Sequence, residues 1–181
     1  MNDKEFWDLI AWANAQGEDP EEREDALEGA LRELSPEASE DFYLIYDRHV
    51  TAAWTPDVAL LAYLVNRYGD RSAYDDLLDF ICWLIDHGRA VYQAALIDPE
   101  RLAGVEDDLP WESEGYWRRA AWVWEAETGS TEQAFYDRVG ERGASGPQEY
   151  PGGGTVDPDD LRRRWPRLCD RFIERADGDE V

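Results

Sequence analysis

The feature that most constrains the fold is a set of five prolines, each of which follows a residue that caps helix N-termini well. The pairs are Asp19-Pro20, Ser35-Pro36, Thr55-Pro56, Asp98-Pro99 and Asp157-Pro158. The cap side chain can accept a hydrogen bond from a free backbone N–H, and proline at the first helical position gives up no hydrogen bond. Five such helix starts, without a convincing strand-like alternation, predict an all-α protein.

The longest helical pattern lies in the middle of the chain, from Ser72 to Leu102. At about 100° per residue its apolar side chains share one face, which predicts a core seam. These residues are Tyr74, Leu77, Leu78, Ile81, Leu84, Ile85, Tyr92, Ala95 and Leu96. We therefore expect a single-domain bundle of about eight helices around a long central helix (about 72–97), with Gly88 as a point where it can bend.

This central pattern also resembles a bacterial domain family of unknown function that is catalogued under number 4240. The resemblance rests on Trp83-Leu84-Ile85, Gly88-Arg89, Tyr92, Ala95, Asp98-Pro99-x-x-Leu102 and, near the start, Phe6-Trp7-x-Leu9-Ile10. It covers residues from about 3 to about 130 and implies fold and extent, but no activity. We predict structural roles for Trp7, Gly88 and Arg89, with Arg89 in a buried salt bridge or a helix–helix hydrogen bond.

Composition changes towards the C-terminus and predicts three regions. Residues 1–142 read as the helical domain, and residues 143–156 are rich in Gly and Pro, which is typical of a flexible surface loop. Residues 157–181 form an Arg-rich helical segment in which Pro166 should kink or split the helix. Because its arginines alternate with apolar residues and the rest of the chain is acidic, we expect this segment to pack back on the domain.

Charge is the strongest compositional signal, with 42 acidic and 18 basic residues and a net charge of −24. Such a field repels nucleic-acid phosphates and anionic membranes, so a direct nucleic-acid-binding role is not expected. Three interpretations of the acidity stay open: solubility or adaptation to high salt, codon usage that favours Arg over Lys, or attraction of a cationic partner. An N-terminus without a basic region or a long apolar run, and only two cysteines, indicate a cytoplasmic protein without membrane spans.

The sharpest candidate for a binding site surrounds Trp83 on the polar side of the central helix. Asp76, Asp79, Asp86 and His87 lie near it at helical spacing. A tryptophan ring with carboxylates around it suits a cationic ligand, such as an Arg or Lys side chain of a partner. The alternative is that another helix or the Arg-rich segment covers Trp83, which would make it a core residue with a polar fringe.

Other reactive groups indicate no catalytic, metal or cofactor site. His49 and His87 lack the spacing that presents two metal ligands on one helix face. Asp75, Asp76 and Asp79 could form an acid/base cluster or a magnesium site, although a solvated helix face explains them as well. Cys82 and Cys169 lie in helical patterns as small apolar residues do.

These observations favour a non-enzymatic, cytoplasmic interaction or regulatory protein, such as an immunity-like module, that binds a basic protein partner. The alternative function is a small enzyme or ligand-binding protein that uses the acidic and aromatic face of the central helix. The two differ in what they need, because an enzyme requires a concave pocket of convergent polar groups, whereas an interaction protein requires an exposed patch.

Overall fold

The computed structural model describes residues 1–65, 73–105, 115–146, 148–152 and 157–172. Within them the chain forms ten α-helices and one 3-10 helix, and no strand. The helices are α1 (Asp3–Asn14), α2 (Pro20–Arg32), α3 (Pro36–Ala53), α4 (Pro56–Val65), α5 (Ala73–Asp86), α6 (Arg89–Ile97), α7 (Tyr116–Thr128), α8 (Glu132–Glu141), α9 (Pro158–Arg164) and α10 (Pro166–Phe172), with the 3-10 helix (Pro99–Gly104) between α6 and α7. The all-α prediction is confirmed.

Each of the five predicted cap–proline pairs begins a helix. Asp19 Oδ1 accepts a hydrogen bond from the Glu22 N–H at 2.8 Å, as a helix cap should. Asp98-Pro99 starts the 3-10 helix instead of an α-helix. Pro166 splits the C-terminal segment, because α9 ends at Arg164 and α10 begins at the proline itself.

The central helix is two helices, because the chain breaks at Gly88. Gly88 has φ of +94°, a backbone conformation that favours glycine, and it precedes α6 as its N-cap. Arg89 is the first residue of α6 and is exposed. The predicted burial of Arg89 in a salt bridge is therefore wrong, while the alternative role in a helix–helix hydrogen bond stays a prediction.

The core lies between α3, which contacts α1, α5, α7 and α8, and α5, which also contacts α4 and α6. Aromatic rings fill much of this space; Phe6, Phe42 and Tyr46 are almost fully buried. Trp7 lies at the edge of the same cluster, 4.8 Å from His49 and 5.5 Å from Tyr92 between ring centres. Rings in these inclined arrangements pack favourably beyond the area that they bury.

One carboxylate, Glu40, is buried on α3 and bonds to side chains of α7 and α8. It accepts a hydrogen bond from Trp124 Nε1 at 3.0 Å and forms ion pairs with Arg138 and Arg142. Its charge is thus fully compensated, as a buried carboxylate requires. Arg142 also forms an ion pair with Asp41, so ion pairs connect one side of α3 to the C-terminal end of α8.

The Arg-rich segment packs mainly on the 3-10 helix and α4. Arg171 donates from Nη1 to the carbonyl oxygens of Leu102 and Ala103 at 3.2 and 3.0 Å. Arg164 pairs with Asp57 at the start of α4, at 2.9 Å. Residues 173–181 lie outside the described part of the chain. Among the described residues, no helix has both the length and the apolar character to cross a bilayer.

Candidate functional site

The residues predicted to bind a partner around Trp83 lie at the end of α5, and the key ring is not exposed. Trp83 is only 4% exposed; its ring stacks on Phe80 and lies 4.3 Å from the His87 ring. Asp76, Asp79 and His87 are half-buried. The expectation that Trp83 offers its face to a cationic partner is therefore corrected, because the ring is buried.

Asp86, another residue of the predicted site, is buried and takes part in a hydrogen-bond network that links four helices. Its Oδ1 accepts from the Tyr46 hydroxyl at 2.9 Å, and its Oδ2 lies 3.3 Å from the Tyr116 backbone nitrogen. Asn14 donates to the Asp86 carbonyl oxygen at 2.7 Å and accepts from the Tyr116 hydroxyl at 2.6 Å. The network joins α1, α3, α5 and α7, so the carboxylate stabilises the fold and does not face a partner.

The two histidines lie in separate places. His49 Nε2 lies 2.8 Å from Asp3 Oδ1, while His87 Nδ1 lies 2.9 Å from the Trp83 carbonyl oxygen. Burial lowers the pKa of His49, although Asp3 acts in the opposite direction. In the described part of the chain, no three His, Cys, Asp or Glu side chains come together as metal ligands would.

Both cysteines are buried and unpaired. Burial raises the pKa of the Cys82 thiol well above its ordinary value, and the nearby Asp86 carboxylate adds to the effect. Burial also raises the pKa of Cys169. Both thiols therefore stay protonated near neutral pH, which is the opposite of what an activated nucleophile needs.

A concavity lined by aromatic residues lies elsewhere, on the C-terminal half of α3. It has a volume of about 250 Å³. α3, the first half of α5, the start of α7 and the segment after α8 all contribute to its wall. The lining residues are Tyr43, Tyr46, Asp47, Val50, Trp54, Tyr74, Leu78, Trp117, Gly146 and Gln148. We call this concavity the aromatic pocket.

The rings of the aromatic pocket meet at steep angles. Tyr43 and Trp117 lie 6.2 Å apart with their planes inclined by 73°, and Trp54 and Tyr74 lie 5.0 Å apart at 60°. In an inclined pair the edge of one ring approaches the face of the other, so each pair covers one ring face and leaves the opposite faces to other contacts. The Arg118 guanidinium lies over the Trp117 ring at 5.2 Å, so a cation of the chain itself already occupies one face of this ring.

Asp47 supplies the negative charge of the aromatic pocket. Its Oδ2 accepts a hydrogen bond from the Ser145 backbone N–H at 2.8 Å, which fixes the side chain at the wall. Burial, together with the Asp47 charge, raises the pKa of Tyr43 to about 12, so this phenol stays neutral at physiological pH. The described residues that line the pocket include no positively charged side chain. The arrangement therefore suits a cation.

The segment that follows α8 closes one side of the aromatic pocket. Ser145 and Gln148 both form hydrogen bonds with the Thr51 hydroxyl, at 3.0 and 2.9 Å between heavy atoms. Trp54 Nε1 donates to the Glu149 carbonyl oxygen at 2.8 Å. These bonds hold the described part of the Gly/Pro-rich segment, predicted as a flexible loop over residues 143–156, against α3.

A second depression, of about 510 Å³, lies between the start of α1 and the turn from α2 to α3. It is lined by Met1, Glu5, Asp8, Leu9, Leu34 and Ala38. None of these lining residues is aromatic, and Asp8 is paired with Lys4. The aromatic pocket is therefore the better candidate for specific recognition.

Sequence reasoning missed the aromatic pocket, although one signal of it was present. Tyr43, Asp47, Val50 and Trp54 are spaced by four, three and four residues, which places them on one face of α3. A stripe that combines aromatic rings with one carboxylate is unusual for a face that only packs. Nothing in the pattern shows that Tyr74, Trp117 and the Ser145 segment meet this stripe.

Comparison with known proteins identifies a family and no function. A family model described as "Protein of unknown function (DUF4240)" matches residues 1–130. This agrees with the resemblance predicted from the sequence, and the matched residues include three of the four stretches that line the pocket, but not the segment after α8. No curated protein and no solved structure matches the chain.

Proposed function

Because the chain belongs to DUF4240, a family of unknown function, we propose a function from the site itself. The protein is a non-enzymatic interaction module of the cytoplasm that binds a protein partner through a cationic side chain, which enters the aromatic pocket. The observation that carries this proposal is a pocket wall that combines inclined aromatic rings with Asp47, the one carboxylate among the described lining residues.

The physical basis is the attraction of a cation to ring faces next to a negative charge. Each contact between a cation and a ring contributes about 0.5 to 2 kcal/mol, and more when water is excluded. Trp54 and Tyr74 provide one inclined pair of rings, and Tyr43 and Trp117 provide the other. A single bound side chain then gives modest affinity, and the rest of the partner's surface supplies the remainder.

The net charge of −24 supports the same kind of partner. A strongly negative surface raises the local concentration of a basic protein and accelerates its association, with a dependence on salt. The charge acts at long range and without much specificity, whereas the aromatic pocket acts at contact. We therefore assign steering to the surface and recognition to the pocket.

The proposal is tested by titrating the protein with short peptides that differ at one central position, occupied by Lys, Arg or the uncharged norleucine. Isothermal titration calorimetry at low and at physiological salt measures the affinities. We expect the Lys and Arg peptides to bind at least tenfold more tightly than the norleucine peptide, a difference of about 1.4 kcal/mol.

Two variants locate the binding. Asp47→Asn keeps the acceptor for Ser145 N–H but removes the charge, while Asp25→Asn removes the same charge from an exposed position on α2 outside the pocket. Asp47→Asn should lower the affinity for the Lys peptide about tenfold, and Asp25→Asn should change this affinity little. Equal effects of the two variants would show a general charge attraction and would refute the pocket as the site.

A further inference from the structure

We infer that the cationic group for which the aromatic pocket is built is a methylated ammonium, such as trimethyl-lysine, in preference to a free ammonium or a guanidinium. The inference rests on the proposed function and adds the chemical class of the group. It follows from three properties of the pocket: the single charged acceptor among its described lining residues, the aromatic rings of its wall and its volume.

Charged hydrogen-bond acceptors are scarce in the described wall of the aromatic pocket. Asp47 is the only one, and its Oδ2 already accepts from the Ser145 N–H, so the other acceptors are neutral phenol, amide and backbone oxygens. The Tyr46 hydroxyl donates to Asp86 at the back of the pocket. A lysine ammonium has three N–H donors and an arginine guanidinium has five, and each donor that loses water without gaining an acceptor costs free energy.

A trimethylammonium group avoids this cost because it has no N–H donor. Its charge is spread over methyl groups that contact aromatic faces directly, and aromatic cages are a known means of recognising such cations. Trp54 and Tyr74 are the lining rings best placed to offer such faces, because one face of Trp117 already lies under Arg118. The Asp47 charge still favours the cation over an uncharged group of the same shape.

The size of the aromatic pocket agrees with a bulky cation. Its volume of about 250 Å³ corresponds to roughly eight waters at about 30 Å³ each. A bare ammonium would leave most of this space to water, which screens the charge. Three methyl groups displace several of these waters and reduce the screening.

The test compares four peptides of identical sequence whose central residue is Lys, trimethyl-lysine, Arg or the uncharged isostere of trimethyl-lysine with carbon in place of nitrogen. Calorimetry at physiological salt measures each affinity. We expect the trimethyl-lysine peptide to bind at least fivefold more tightly than the Lys and Arg peptides and more tightly than its uncharged isostere.

The outcomes separate this inference from the proposed function. If the Lys or Arg peptide binds as tightly as the trimethyl-lysine peptide, the inference is overturned and the proposed function stands. If the uncharged isostere binds as tightly as the trimethyl-lysine peptide, the pocket recognises apolar shape, and both the inference and the proposed function fail. If none of the four binds, both fail as well.

Choline chloride distinguishes a free quaternary amine from a side chain of a protein. Binding of choline more weakly than the trimethyl-lysine peptide supports the peptide source. Equally tight binding of choline supports the methylated ammonium but overturns the protein partner.

Two variants test whether the rings of the pocket bind these probes. Tyr74→Leu, which removes one ring of the pocket, should lower the affinity for both probes at least fivefold, whereas Trp12→Leu removes an exposed ring outside the pocket and should leave the affinity unchanged. Equal affinities of these two variants would overturn the inference.

Discussion

Two glycines with positive φ give a prediction that tests the wall of the aromatic pocket. Gly88 has φ of +94° and no atom within 4 Å of the place where a Cβ would lie. Gly115 has φ of +77°, and its Cβ would lie 2.6 Å from Trp117 Cδ1 and 3.3 Å from Cys82 Sγ. Alanine at both positions therefore introduces the same backbone strain, but only at Gly115 does it also collide with a ring.

The structure sets the expected magnitudes. Both glycines combine a positive φ with an extended ψ, and alanine in this region costs roughly 1 to 3 kcal/mol, which is the whole effect for Gly88→Ala. Overpacking adds about 1 to 3 kcal/mol, so Gly115→Ala should cost about 2 to 6 kcal/mol. For a chain of this length, 1 kcal/mol corresponds to about 2 to 4 °C in Tm. Gly115→Ala should also displace Trp117 and weaken peptide binding, whereas Gly88→Ala should leave binding unchanged.

Urea unfolding followed by circular dichroism measures the stabilities, and calorimetry with the Lys peptide measures binding. The difference between the two variants contains the contribution of the Trp117 contact, because the backbone strain is common to both. Equal destabilisation with unchanged binding in both variants would refute the placement of Trp117 against Gly115 and, with it, this wall of the pocket.

Three other predictions follow from the charges and buried groups. Glu40→Ala should lower the free energy of unfolding by about 2 to 4 kcal/mol, since it orphans the Trp124 N–H and removes one buried methylene with the carboxylate. Glu40→Gln, which keeps an acceptor, should cost clearly less, and equal losses in urea unfolding would contradict this. Burial raises the pKa of Tyr43 and of Tyr92 to about 12 against about 10 in the unfolded chain. The folded protein then holds more protons between these values, so stability should fall from pH 10 to pH 12, and Tyr43→Phe with Tyr92→Phe should flatten the slope of Tm against pH in that window. Because the net charge of −24 is self-repulsive, 0.5 M NaCl should raise Tm, and a lowered Tm would contradict that origin.

Local sequence signals predicted the elements of the fold well. Pro20, Pro36 and Pro56 each begin an α-helix, because proline at a first helical position and a cap before it act within a few residues. The break at Gly88 was expected only as a bend. Whether a helix bends or stops there depends on the positive φ that the surrounding packing imposes, and a periodic pattern does not contain that information.

The site could not be predicted because it depends on contacts between distant parts of the chain. Trp83 falls on the polar side of its helix by spacing, but its ring is buried in the folded chain. Asp86 is polar and buried because Tyr46, forty positions away, donates to it. Asp47 becomes part of a pocket only when the segment at Ser145 bonds to it, and that pairing has no signature in either stretch.

A two-dimensional ¹H–¹⁵N spectrum can report directly whether a cation enters the aromatic pocket. The chain has nine tryptophans, and each contributes one indole N–H signal that single substitutions can assign. On titration with the Lys peptide and then its trimethylated form, the signals of Trp54 and Trp117 should move while those of the exposed Trp12 and Trp122 stay in place. Movement confined to Trp12 and Trp122, or no movement of any indole signal, would contradict the aromatic pocket as the binding site.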